Sequence, residues 1–133
     1  DIGSFIRYDN HNLHSWYIIR NSEIFGLSRV DNQIVAQIAK YHKGSFVPQD
    51  DEGYQMMSRP ERMTILKLTA ILRIADAMDR GHIQKFSDFS IKLQQNSMII
   101  NTKKSKNTIL ERIALSEKAG MFESVFGYKV ILL

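Results

Sequence analysis

An α+β fold, mostly helical and closing in a small strand-containing segment, is predicted for this chain by two observations. Apolar residues recur at three- and four-residue spacing as far as Gly81, with Ser, Pro and Gly at the breaks, and beyond it the period falls to two in "FSDFSIKL". At 133 residues the chain suits one domain with a small appendage. We place the helical domain at residues 1–84 and the appendage, strand-strand-helix-strand, at residues 85–133.

Residues 12–24 carry His14, Tyr17, Ile18 and Asn21 at helical spacing, and Gly26 followed by Ser28 closes that helix and caps the next. In "SRVDNQIVAQIAKYHKG" the side chains of Ile34, Ile38, Tyr41 and His42 share a face, and Gly44 is the stop. The stretch "SFVPQDDEGYQMMS" holds a Pro, a Gly and three acids and reads as an exposed loop. Ser58 and Pro60 then open a long helix that runs to Arg80 and is apolar on more than one side. Its expected core stripe is Leu68, Leu72, Ala75, Asp76 and Asp79.

Phe89, Ile91 and Leu93 alternate with polar residues, "QQNS" supplies a turn, and "MIIN" is the return strand of a hairpin. Thr108 with Glu111 forms a capping box for one helix whose core face is Ile109, Ile113, Met121, Phe122, Val125 and Phe126. Gly127 ends it and "YKVILL" is the last strand.

Hydrophobic residues at 44% and charged ones at 24% exclude a disordered or fibrous chain. There is no cysteine, so a bound metal must rest on His and carboxylates. No apolar run approaches membrane-spanning length and the first residues lack a signal-peptide layout, so no membrane partner is expected and the cytoplasm is the expected compartment. The formal charge of +4 implies attraction for polyanions. The one dense basic run, "KKSK" at Lys103 to Lys106, has no interleaved aromatics, which argues against nucleic acid.

Asp76 in an apolar stripe demands a partner, because an uncompensated buried carboxylate costs several kcal/mol. His14, one turn before Ile18, and His42, one turn after Ile38, also continue apolar stripes. Two His and one or two Asp converging in a bundle would suit a divalent ion such as Mn, Mg, Zn or Fe. Alternatively each His is a hydrogen-bonded core residue and Asp76 pairs with Arg73, Arg80 or His42. Arg7, Arg20, Lys40, Lys43, Arg73 and Arg80 lie near these residues in sequence, and a ring of them would favour a phosphate-rich ligand.

"DIG", "HNLHSWYIIRNSEIFGLS", "IVAQIAKYHKG" and "LTAILRIADAMDR", with the closing "ILERIALSEKAGMFESVFGYKVILL", resemble the C-terminal HD-like helical domain of the exopolyphosphatase/guanosine pentaphosphate phosphatase (Ppx/GppA) family over nearly the whole chain. The resemblance implies an HD-domain-like bundle. In HD proteins a metal is held by an early His, a His-Asp pair and a late Asp. Asp1 matches the Asp of the pair, Asp76 the late Asp, and His14 and His42 the intervening histidines that bind a second metal or a phosphate in some relatives. The early His and the His of the pair are missing, so the chain is expected to be cut within the motif, leaving an incomplete site for Mn or Mg.

The resemblance further implies a parent that hydrolyses the terminal phosphoanhydride of polyphosphate or guanosine pentaphosphate, with its catalytic groups on N-terminal actin-like ATPase-fold domains. No catalytic residue is then expected in this chain. Its expected role is accessory: binding polyphosphate or a nucleotide polyanion, with Lys40, Lys43, Arg73 and Arg80 as the phosphate contacts, and assembling a homodimer. The alternative is a metal-dependent HD-type phosphohydrolase acting on phosphate esters or nucleotides.

Overall fold

The computed structural model describes residues 2–44, 48–80, 88–102 and 107–133, and its contacts divide the chain into two compact units, Asp1–Thr69 and Ala70–Leu133. The division falls within one long helix. The junction expected at 84/85, the "KKSK" run and Asp1 lie outside the described residues.

In the first unit a 3-10 turn, Ile2–Phe5, precedes α1 (His11–Arg20) and α2 (Arg29–Tyr41). Ser28 caps α2 in a reciprocal box with Asp31. Two asparagines fix α1 antiparallel to α2. Asn12 near the start of α1 donates to the Lys40 carbonyl, and the buried Asn32 near the start of α2 donates to the carbonyls of Ile19 and Ser22. The helix expected over residues 12–24 stops at Arg20 because Asn21 and Ser22 turn their side chains back onto the carbonyls of Tyr17 and Ile18.

Gly3 explains itself sterically. A Cβ there would stand 2.6 Å from both the Ser15 nitrogen and its hydroxyl, and closer still to the His11 carbonyl oxygen. The glycine lets the turn lie directly on α1, where its N–H donates to the buried Ser15 hydroxyl at 2.9 Å.

The stretch expected to be an exposed loop is structured and partly buried. After residues 45–47, which are outside the description, Pro48–Asp50 forms a 3-10 turn and Glu52–Gln55 a short helix, α3, with Pro48, Asp51 and Tyr54 buried. Tyr54, Tyr41 and Ile65 form the core of this unit, with Ile34 and Ile38 of α2 packed against them as expected. Ile65 belongs to α4 (Arg59–Met78).

In the second unit the later part of α4 joins β1 (Phe89–Gln94), β2 (Ser97–Thr102), α5 (Ile109–Lys118), α6 (Gly120–Phe126) and β3 (Lys129–Leu132). β1 and β2 are the expected antiparallel hairpin, and β3 runs parallel to β2 in a sheet of order β1-β2-β3. The core gathers Ala70, Ile74 and Ala77 of α4 with Met98, Ile100, Leu115 and Phe122.

Two predicted faces are corrected. The buried face of α4 is Ile65, Thr69, Ala70, Arg73, Ile74 and Ala77, while of the expected stripe Leu68 and Leu72 are 46% and 39% exposed and Ala75 and Asp79 are exposed as well. The buried face is turned about one residue from the expected stripe, and because α4 carries apolar residues on more than one side the spacing alone admits either. The single helix after Thr108 is two, broken at Ala119–Gly120. Its first part buries Glu111, Ala114 and Leu115 and exposes Ile109 and Ile113. The expected capping box does not form, since Thr108 makes no side-chain cap, and the Asn107 side chain accepts from the Ile109 N–H instead.

Gly3→Ala is expected to lift the N-terminal turn off α1 at a cost of about 2 kcal/mol. Chemical denaturation compared with Ser15→Ala, which removes only the hydrogen bond and costs about 1 kcal/mol, separates the steric from the polar effect.

Candidate functional site

The polar side chains of the first unit cluster along α1 and the C-terminal end of α2. His11 Nδ1 lies 2.9 Å from the Tyr8 carbonyl oxygen, and His42 Nδ1 lies 2.6 Å from that of Ala39. A carbonyl oxygen only accepts, so each Nδ1 is placed to donate, which leaves each Nε2 as the ring nitrogen able to offer a lone pair. Those two Nε2 atoms face each other at 3.2 Å. A proton shared between the two nitrogens or a cation bound by both suits such a pair.

The partner of His42 is thus His11, not the expected His14. The signal was in the sequence: His11 sits two helical turns before Ile18, on the same stripe that singled out His14. Two imidazole nitrogens bound to one tetrahedral ion at about 2.0–2.1 Å are about 3.3 Å apart, so the pair fits as two ligands. Their Nδ1–H···O=C bonds are the usual outer support of such ligands. Among the described residues no group of three His, Asp or Glu side chains gathers to complete a site.

Asp76 lies in the second unit and finds its partner there: Lys118 of α5 donates to its carboxylate. The need for a partner is met by a residue far along the chain, rather than by Arg73, Arg80 or His42.

The expected phosphate contacts separate in the same way. Arg73 is 8% exposed, and burial pushes its guanidinium below its ordinary value. Arg80 is exposed beyond the end of α4. Lys40 is half-buried, donates to Asp51 and stands 4.7 Å from the centre of the Trp16 ring, which Arg20 also approaches at 5.1 Å. Lys43 stands 5.5 Å from the centre of the Tyr8 ring, which in turn packs against His11. Trp16, Arg20, Lys40 and Asp51 border a cleft of about 560 Å³.

Asp51 is the residue that sequence reading passed over. Burial alone would raise its carboxyl, but the Lys40 ammonium, the Tyr54 amide at 3.2 Å and the Tyr41 hydroxyl hold it below its ordinary 3.8. The Tyr41 hydroxyl moves the other way: burial and the Asp51 carboxylate raise it well above its ordinary value, so it remains a neutral donor. The spacing of Asp51 and Tyr54, a capping acid three residues before a buried aromatic, was the available clue.

No helix among the described residues is long and apolar enough to cross a membrane. The family model for Ppx/GppA phosphatase, domain III, matches residues 1–119, across both units. A comparison with curated proteins finds no match.

Because its folded value is depressed, Asp51 contributes stability that is fully present above its ordinary 3.8 and is lost as pH falls through the folded value. Asp51→Asn is expected to cost about 2–4 kcal/mol at neutral pH and to flatten the acid limb of the stability curve below about pH 4, measured by urea unfolding across pH. An unchanged acid limb would remove Asp51 from this role.

Proposed function

Because the chain belongs to the Ppx/GppA phosphatase family as its domain III, we propose that it is the accessory polyanion-binding and assembly domain of an exopolyphosphatase-like phosphoanhydride hydrolase. The observation that carries this reading is the placement of Arg20 and Lys43. Each rests on an aromatic face, Trp16 and Tyr8 respectively, which orders a long side chain while leaving its N–H groups to an incoming anion. Lys40 and Arg73 are read as internal cations, so of the four expected residues Lys43 and the exposed Arg80 keep the anion-binding role, and Arg20 joins Lys43 as the second ring-braced contact.

The formal surplus of +4 supplies the longer-range attraction for polyphosphate or for the phosphates of guanosine pentaphosphate. Catalysis in the parent is assigned to its other domains, the actin-like ATPase-fold ones, and homodimer formation to this one. Polyphosphate is expected to bind with salt-dependent affinity. The double variant Arg20→Glu/Lys43→Glu is expected to bind at least about tenfold more weakly, with a shallower salt slope by about two. Arg59→Glu/Lys67→Glu, on exposed positions of α4, serves as the charge-matched comparison. Indifference of the unaltered chain to polyphosphate at low ionic strength removes the reading.

A second reading, a metal-dependent HD-type phosphohydrolase, is favoured by the His11–His42 geometry. The two Nε2 atoms would hold the ion, which supplies Lewis-acid activation of water for attack on a phosphate ester. Imidazole donors favour Mn over Mg, which prefers oxygen in an octahedral shell. Of the family-pattern residues, Asp1 lies outside the described residues, among which His14 joins no group of three with the pair, and Asp76 is held by Lys118 in the second unit. Calorimetric titration with Mn is expected to give binding that His11→Ala and His42→Ala each abolish. Absence of any heat leaves the pair as a proton-sharing contact of the fold.

A further inference from the structure

Among the described residues β1 is an edge of the sheet, and the bonds on the far side of β2 determine which way its backbone points. Lys129 N donates to the Asn96 carbonyl, Leu133 N to that of Ile100, and Thr102 N to that of Leu133. Even-numbered positions of β2 therefore serve β3, and the odd ones, Ser97, Ile99 and Asn101, face β1. Their register partners are Gln94, Lys92 and Ser90. The N–H and C=O groups of Phe89, Ile91 and Leu93 are consequently directed outward, to the open edge.

The side chains of those same three residues are 51%, 53% and 61% exposed. They form the outer lip of an apolar cleft of about 720 Å³ whose floor includes Met98, Ile100 and Phe122. Natural sheets blunt such an edge with Pro, a bulge or charged side chains, Lys above all. β1 has no Pro, its register with β2 is unbroken, and its one charge, Lys92, stands on the opposite face.

We propose that β1 pairs antiparallel with β1 of a second copy of this chain about a two-fold axis at Ile91. In that register Ile91 faces Ile91 and Phe89 faces Leu93 of the other copy, so each facing pair exchanges both backbone bonds. Apolar side chains meet apolar ones and close the two clefts together. Charge selects the register as well. Lys92 falls opposite Ser90 and diagonal to Asp88 of the second copy, twice by symmetry, whereas an axis at Lys92 would set two lysines face to face. This inference gives a surface to the assembly half of the proposed function and is independent of anion binding.

Sedimentation velocity and light scattering on the full chain test it. A dimer is expected. Ile91→Pro removes an N–H that the β1–β2 ladder does not use, and is expected to give a monomer with unchanged circular dichroism. Lys92→Asp, a surface change on the polar face, is expected to weaken the dimer at least about tenfold, and Asp88→Lys/Lys92→Asp to restore it. A monomer at high micromolar concentration, including one whose cleft takes some other apolar occupant, overturns the proposal. So does a dimer that Lys92→Asp leaves unchanged. Polyphosphate binding measured on the same variants fails or survives separately, since none of them touches Arg20 or Lys43.

Discussion

The first unit is organised around one carboxylate. Asp51 caps α3 through Oδ1 and accepts the Lys40 ammonium through Oδ2, with the Tyr41 hydroxyl beside it. α3, at four residues, is too short to form on local propensity and takes its place from this cap and from the glycine that follows. A Cβ at Gly53 would press against the end of the buried Gln37 side chain, which would have to shift to admit it. Tyr54 then meets Tyr41 edge to face at 6.5 Å, and the same cluster takes in Ile65 of α4. On its other side Lys40 lies over Trp16 of α1. Four helices are thereby tied to one ion pair.

That dependence explains where sequence reading succeeded. Ser28 with Asp31, the alternation of Phe89, Ile91 and Leu93, and the turn at Gln95 and Asn96 are local signals, and each specifies its element without outside help. The family pattern was legible for the same reason, because it is written in short contiguous motifs. Failure began where a long-range contact outranked a local pattern. "VPQDDEGYQ" has loop composition, and only Lys40 and Tyr41, in the preceding helix, make its central acid a buried one. α4 offers two helical stripes, and the sequence cannot state which one faces closely packed neighbours.

The histidines show the same limit at the candidate site. His11 and His14 are three residues apart on α1 and equally plausible by periodicity. What distinguishes them is the carbonyl of Tyr8 beneath one ring and the imidazole of His42 beside it, neither of which is a property of α1. Tautomer and lone-pair direction follow from those neighbours, and with them the capacity to hold a cation.

Charge divides between structure and function by the same reasoning. Lys40 with Asp51 and Lys118 with Asp76 are opposite charges that cancel within their own units, and the interior of the second unit takes one cation, Arg73, and one anion, Glu111. Burial of charge is costly unless it is compensated, so interiors draw on both signs equally. The formal surplus of +4 is therefore carried by the groups that remain at the surface. A count of lysines and arginines cannot separate the two populations, and two of the four cations singled out from sequence proved internal. Of the other two, Arg80 is exposed and Lys43 lies 5.5 Å from the Tyr8 ring centre, as Arg20 lies 5.1 Å from that of Trp16, and a ring beneath a long side chain limits its freedom before any anion arrives. Ordering that precedes binding is not charged against it, and that is the physical ground on which polyanion recognition is proposed for α1 and the end of α2.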